Sequence, residues 1–368
     1  MEGAARRGKP TLKRPIETVR RERDGITILD QTELPFRTVT RHLTTVESAA
    51  VAIRSMRVRG APLIGATAAF GVALAMSSQP TSDALDAAVE LLGQTRPTAV
   101  NLHWALHRMR ERLRGLPDAD RPDAAWAEAE AIAAEDAAAC EAIGEHGLVI
   151  LAALAGQRGG PVRVLTHCNA GWLATCGIGT ALAPVFTAHA HGVPVDVFVS
   201  ETRPRDQGLL TAWELREAGV PHTLVADNAA GYLLATGRVD TVITGADRIA
   251  ANGDTANKVG TWLKALAAQA VGVPFYVAAP SSTLDFSCPD GARVPIEDRG
   301  ADEVCLVRGL DANGEVVDVR LAPAQTRVAN PAFDITPASF VTGFITERGL
   351  VAPTALADSF PERIRSTP

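Results

Sequence analysis

Cysteine is scarce in this sequence: five residues in 368, at positions 140, 168, 176, 288 and 305, with no Cys-x-x-Cys pair. An odd count at irregular spacing excludes a disulfide framework and points to a reduced, cytoplasmic setting. Most of these thiols are expected to be inert core residues. Net positive charge is lacking too. Thirty-six basic against 42 acidic residues leave −6, which argues against a nucleic-acid partner. No apolar run is expected to reach the roughly 18 residues that span a bilayer, so no membrane partner is predicted. Internal repeats and low-complexity linkers are absent.

What is present suffices for a large core and more than one domain, with 46% hydrophobic and 21% charged residues. The start is basic (Arg6, Arg7, Lys9, Lys13, Arg14), but prolines break it and no apolar stretch follows. Residues 1–24 therefore read as a mobile tail rather than a targeting signal. A helix-rich domain is expected over 25–158. Thr44 and Glu47 have capping-box spacing ahead of Val46, Ala49, Ile53 and Met56 at helical intervals. Further helices are predicted from Pro62, from near Pro97, and over the Ala- and Glu-rich stretch 123–153, where Cys140 reads as a core filler.

From about residue 160 the pattern changes. Runs 162–167, 195–200, 223–226, 241–244 and 275–279 have strand character, with helical stretches such as 209–218 and 261–271 between them. This alternation predicts a second domain, 159–368, built on a parallel sheet with helices on both faces. Ligands in such sheets bind beyond the carboxyl ends of the strands. Cys168, Glu201, Arg203, Asp227, Asp247 and Ser281 fall there.

Four segments could carry chemistry. Arg57-Val58-Arg59-Gly60-Ala61-Pro62 places two arginines and small residues ahead of a helix start, whose free N–H groups attract anions. Arg96-Pro97-Thr98 repeats that design. Either alone reads more readily as a solvated charge beside a proline; together they favour a shared anion. Thr166-His167-Cys168-Asn169-Ala170-Gly171 reads as a strand end running into a helix, whose N-terminus would stabilise a thiolate. That help matters, because at an ordinary pKa near 8.5 only about 3% of a thiol is ionised at neutral pH. A buried core cysteine and a core histidine are the plain alternatives. Residues 244–260 read as a strand end followed by a long polar loop. Its carboxylates do not alternate as in an EF-hand, so a sugar-binding loop using Asn257 and Lys258 is the better reading. Gly177-Ile178-Gly179 lacks the third glycine of a dinucleotide motif.

Taken together these segments resemble the methylthioribose-1-phosphate isomerases, relatives of the regulatory subunits of translation initiation factor 2B. The likeness covers MRVRGAPLIG (56–65), RPTAVN (96–101), THCNAG (166–171), Glu201-Thr202-Arg203-Pro204 with Gln207-Gly208, GADRIAANGDTANKVGT (245–261), Ala279 to Thr283 and Asn330 to Asp334. The resemblance implies a small N-terminal domain joined to a Rossmann-like C-terminal domain, usually as a homodimer. It also implies Cys168 and Asp247 as the catalytic pair. Arg59, Gly60, Ala61, Arg96, Gln207, Asn257 and Lys258 would hold a small-molecule sugar phosphate, with neither metal nor cofactor. His103 and Cys140 depart from the family pattern, and His103 is expected to bear on the pocket near the sugar's fifth carbon. Isomerases of 5-deoxyribose 1-phosphate or ribose 1,5-bisphosphate, and a non-catalytic regulatory subunit, are the competing readings.

Overall fold

The computed structural model describes residues 16–365. Three short antiparallel strands open it: β1 (Val19–Arg21), β2 (Ile26–Leu29) and β3 (Thr40–Leu43). Structure thus begins inside the segment expected to be a tail, and residues 1–15 of that expectation lie outside the described residues.

Five helices follow: α1 (Val46–Arg54), α2 (Ala61–Ser78), α3 (Ser82–Gly93), α4 (Val100–Arg114) and α5 (Arg121–Arg158). The capping box of α1 sits one residue later than the sequence pattern suggested. Thr45 Oγ1 accepts from the Ser48 N–H, and Ser48 Oγ accepts from the Thr45 N–H. Helix α2 packs against α1, α3, α4 and α5. Its 18 residues, with mean hydropathy 1.5, are long and apolar enough to cross a bilayer, as is a window within 118–158. The expectation of no such run is therefore corrected. In α2 the pattern has another cause: it is the central helix of a bundle, buried on all sides from Leu63 to Met76.

The second half is a seven-stranded sheet of β4 (Val162–Thr166), β5 (Val195–Ser200), β6 (His222–Val225), β7 (Thr241–Thr244), β10 (Phe275–Ala278), β15 (Gly343–Thr346) and β16 (Gly349–Val351). The order is 16-15-10-7-4-5-6, and every pair is parallel except β15–β16. Both faces are covered. Val195, Val197 and Val199 join one apolar cluster with helices α5, α6 (Ala183–Ala190) and α7 (Gln207–Glu217). Phe198 joins the opposite one with α8 (Ala229–Ala235) and α9 (Thr261–Ala270). That alternation is the two-residue period of a strand. The chain adds strands outward through β5 and β6, then returns to β7 on the other side of β4. The β4/β7 boundary is therefore the switch point at which a crevice opens beyond the strand ends.

A smaller sheet covers this end. It is ordered β11 (Leu284–Asp285), β8 (Arg248–Ala250), β9 (Thr255–Lys258), β14 (Phe333–Thr336). Residues 248–258, expected to be a loop, are thus a hairpin turning at Asn252-Gly253, where Gly253 has φ +88°. A last hairpin, β12 (Leu306–Leu310) and β13 (Val316–Arg320), lies apart.

Candidate functional site

Beyond β4 and β7 lies a cavity of roughly 1100 Å³, counting its open mouth. The nine residues that the resemblance implied as catalytic or substrate-binding line it: Cys168 after β4, Asp247 after β7, Arg59, Gly60 and Ala61 at the start of α2, Arg96 ahead of α4, Gln207 at the start of α7, and Asn257 and Lys258 on β9; Glu201, Arg203, Asp227 and Ser281, expected at the same strand ends, do not.

Cys168 has φ +67°, a left-handed conformation that costs a non-glycine residue about 1–3 kcal/mol. The surrounding bonds hold it there. Its N–H donates to Thr202 Oγ1 at 2.9 Å, and its carbonyl accepts from Thr211 Oγ1 at 2.8 Å. The expected helix does not follow. The chain passes through a single 3-10 turn, Trp172–Ala174, before α6 begins at Ala183. Burial raises the Cys168 thiol pKa, and the charges opposing that rise are Arg59 and then Lys258. Cationic side chains thus take the part the sequence assigned to a helix terminus.

Asp247 is anchored by its N–H, which donates to the Ala256 carbonyl at 2.9 Å. Burial raises its carboxyl pKa above the ordinary range, against Lys258, Arg299, Arg96 and Arg59. Arg248 also lines the cavity but is tied to other partners, donating to the Thr98 carbonyl at 2.8 Å and pairing with Asp285 at 3.2 Å.

The electrostatics of the wall are one-sided. Arg59, Arg96, Arg205, Arg248, Arg299 and Lys258 line it, and Asp247 is the one carboxylate among the lining residues. Arg59 donates through Nη1 to Asn169 Oδ1 and through Nη2 to the Asn169 carbonyl at 2.7 Å. Arg96 and Arg299 share Glu297, at 3.8 and 3.1 Å. Burial works against ionisation of Glu297, but the Thr98 hydroxyl and the two arginines hold its pKa below the usual range. Lys258 Nζ donates to the Ala332 carbonyl at 2.9 Å. Burial, then Arg299, lowers its pKa to about 8.

Gly60 has φ +93°, and a Cβ there would lie 2.4 Å from Ala174 Cα, so only glycine lets the α2 start pack on the Cys168 loop. Gln207 is buried, with Oε1 facing no protein donor. Asn257 Nδ2 donates to Thr261 Oγ1 at 3.0 Å. Met56, Ile64, Val294, Pro295 and Phe333 form an apolar part of the wall. Among the described residues, no three His, Cys, Asp or Glu side chains converge as metal ligands would.

One expectation is corrected: His103 is exposed, its ring nitrogen 3.0 Å from the Pro97 carbonyl, and it does not line the cavity. His167 lines it and is, as the plain reading had it, a buried, neutral group. Burial, helped by Lys264, lowers its pKa to about 3, and Nε2 lies 2.9 Å from the Val259 carbonyl. Arg299, Arg205 and the buried Glu214 were missed. Arg299 and Arg205 carry no local signal in the sequence. Glu214 does, because Gln207, Leu210, Thr211 and Glu214 repeat at helical spacing on a buried face, where a lone carboxylate is unusual.

Residues 57–353 match the initiation factor 2 subunit family. The chain is similar to methylthioribose-1-phosphate isomerase of Dechloromonas aromatica, 59% identical over 95% of this chain and 98% of the relative. That of Methylorubrum populi is 54% identical over the same shares. Among solved structures, 5-methylthioribose 1-phosphate isomerase from Pyrococcus horikoshii superposes with a TM-score of 0.81 at 39% identity, covering 96% of this chain and 97% of that one. The delta subunit of translation initiation factor eIF-2B from A. fulgidus gives 0.77 at 36% identity, covering 95% and 99%.

Proposed function

The chain belongs to the initiation factor 2 subunit family and, within it, to the methylthioribose-1-phosphate isomerases, and from that membership we propose that it converts 5-methylthio-α-D-ribose 1-phosphate into 5-methylthio-D-ribulose 1-phosphate in methionine salvage. One observation carries the reading at the level of the site. At the β4/β7 switch point a thiol and a carboxyl, both with pKa values raised by burial, share a cavity walled by five arginines and a lysine.

The anomeric oxygen of this sugar carries the phosphate and keeps it, so the substrate has no free aldehyde to enolise and the ring must open first. In the net change the bond from the first carbon to the ring oxygen breaks, a hydrogen moves from the second carbon to the first, and the second carbon becomes a carbonyl. The ring oxygen gains one proton and the second-carbon side yields one. Asp247, held as the acid, supplies the first proton; Cys168, as thiolate, takes the second. Turnover leaves a carboxylate and a thiol, and one proton passed back resets the pair.

Arg59, Arg96 and Lys258 neutralise the phosphate beside the N–H groups of Gly60 and Ala61 at the start of α2. Gln207 and Asn257 meet the sugar hydroxyls. Met56, Ile64 and Val294 face the methylthio group, apolar neighbours that suit it and would leave a second phosphate unpaired. We propose further that the protein acts in the cytoplasm as a homodimer without metal, nicotinamide, nucleic acid or membrane. Its parts would be a basic segment ahead of β1, a helix-rich domain running from β1 to residue 158, and a Rossmann-like catalytic domain (159–368).

A regulatory role has the likeness to the A. fulgidus subunit in its favour, but gives Cys168 and Asp247 no task. Turnover of the sugar phosphate by dialysed protein separates the two readings; its absence from folded protein leaves the regulatory one.

A further inference from the structure

We infer that Glu214 is a positioning residue that sets the orientation of Arg59 in the cavity by fixing the side chain of Asn169. The inference rests on the isomerase reading for its consequence, but the geometry stands without it. Glu214 is on α7, fully buried and outside the cavity. Its Oε1 accepts from the Leu173 N–H at 2.6 Å, and its Oε2 accepts from Asn169 Nδ2 at 3.0 Å. The approach is close enough that a Cβ on Gly171 would fall 1.8 Å from Oε2. The second Asn169 amide hydrogen goes to Thr211 Oγ1 at 3.1 Å, so the amide can turn only one way. Its Oδ1 then faces Arg59 Nη1, while the Asn169 carbonyl takes Nη2. One end of the guanidinium fork is thereby fixed to the protein.

A neutral acceptor in place of Glu214 could not do this. In Glu214→Gln one amide edge donates, so a donor meets either Leu173 N–H or Asn169 Nδ2. The conflict is relieved by flipping Asn169, which turns its own donor towards Arg59. Both Glu214 oxygens accept from N–H groups, which fits the carboxylate, with Arg59 as the compensating charge. Burial opposes that charge and raises the pKa, while the Leu173 N–H, the Arg59 charge and the Asn169 amide hold it down.

Arg59 is also the charge that most favours the Cys168 thiolate, ahead of Lys258 on β9, while Asp247 beyond β7 opposes it. Arg96, Arg205 and Arg299 line the same cavity, and His167 beside the cysteine is neutral. This gives a test in which the sign decides. Removing the Glu214 charge alone would lower the Cys168 pKa; losing the hold on Arg59 would raise it.

The experiment measures alkylation of Cys168 by iodoacetamide against pH in the full chain. Peptide mapping separates it from Cys140, Cys176, Cys288 and Cys305, which are buried. Steady-state kinetics on methylthioribose 1-phosphate are run alongside. For Glu214→Gln the expected result is thiolate formation displaced to higher pH and KM raised roughly ten- to a hundredfold, the scale of one charge-assisted hydrogen bond. In an Arg59→Ala background the same change adds less than about twofold to KM, as coupled sites do. The exchange Glu214→Gln with Asn169→Asp restores the donor–acceptor order towards Leu173 and Arg59, with the Thr211 hydroxyl turning from the Cys168 carbonyl to the new carboxylate, and is expected to restore the wild-type alkylation profile, including where the single variant fails to fold. A profile that is unchanged or moves to lower pH in folded Glu214→Gln overturns the inference, as does an exchange variant that stays defective. If wild-type protein does not turn over the sugar, the isomerase reading fails while the alkylation result still decides the role of Glu214.

Discussion

Lys258 and Phe333 are register partners on β9 and β14, and the lysine ammonium lies 5.0 Å from the centre of the phenyl ring. The cation is thus held between an aromatic face, the Ala332 carbonyl and the cavity, away from water. Its pKa of about 8 lies below the unfolded value of 10.5. As pH passes 8 the free enzyme loses a charge the phosphate needs, so KM is expected to rise on the alkaline side. Between pH 8 and 10.5 the unfolded chain holds a proton the folded one has released, so this group's contribution to stability grows with pH across that window. Lys258→Met should remove both dependences. Wild-type profiles of KM and of unfolding midpoint in the variant would contradict the assignment.

Cys168→Ser should lower kcat by orders of magnitude and leave substrate binding and folding near normal, because a hydroxyl is far harder to ionise than a thiol. Cys140→Ser and Cys288→Ser should turn over almost as wild type, since neither residue lines the cavity. Equal kinetics in all three would reduce Cys168 to a packing residue.

Asp247→Asn keeps the shape and removes the transferable proton. It should bind the sugar phosphate and barely turn it over. In the wild type kcat should fall on the alkaline side as the raised Asp247 acid ionises. A near-normal rate for the asparagine variant would move the acid elsewhere. Asp227 is a poor substitute: the Ser200 hydroxyl and the Thr202 and Arg203 N–H groups all donate to it, and its pKa lies below the ordinary range.

Gly60→Ala combines a strained φ with a contact into Ala174. A loss of roughly 1–3 kcal/mol from strain alone is expected, with overpacking added. Gly192→Ala has a comparable φ of +75° but open space around it, so it should lower Tm less. Equal Tm values would mean that the Ala174 contact relaxes freely.

Much of this arrangement was legible in the sequence, for identifiable reasons. The five strands over 162–279 announce themselves through short apolar runs between helices, and their ends carry Cys168 and Asp247. The hairpin at 248–258 was not legible, because its strands are only three and four residues long and carry Arg248, Asn257 and Lys258 among their few positions. The source of thiolate stabilisation was misplaced for a similar reason. A turn after a strand reads as a helix approach, whereas here the chain wraps through Gly171 and Gly179. Arg299 reaches the cavity from a loop far along the chain, and no spacing rule connects it to Arg96. The α2 pattern shows the limit of hydropathy, since a helix buried on every side has the composition of a membrane span.

The most direct test of the account is an isomerisation assay on dialysed, chelator-treated protein with methylthioribose 1-phosphate, following the ketose by NMR. The predicted result is full conversion to the methylthioribulose 1-phosphate equilibrium by wild type, and none on the same timescale by Cys168→Ser or Asp247→Asn. Folded wild-type protein that leaves the sugar unchanged, or that acts only after a divalent ion is restored, would contradict it.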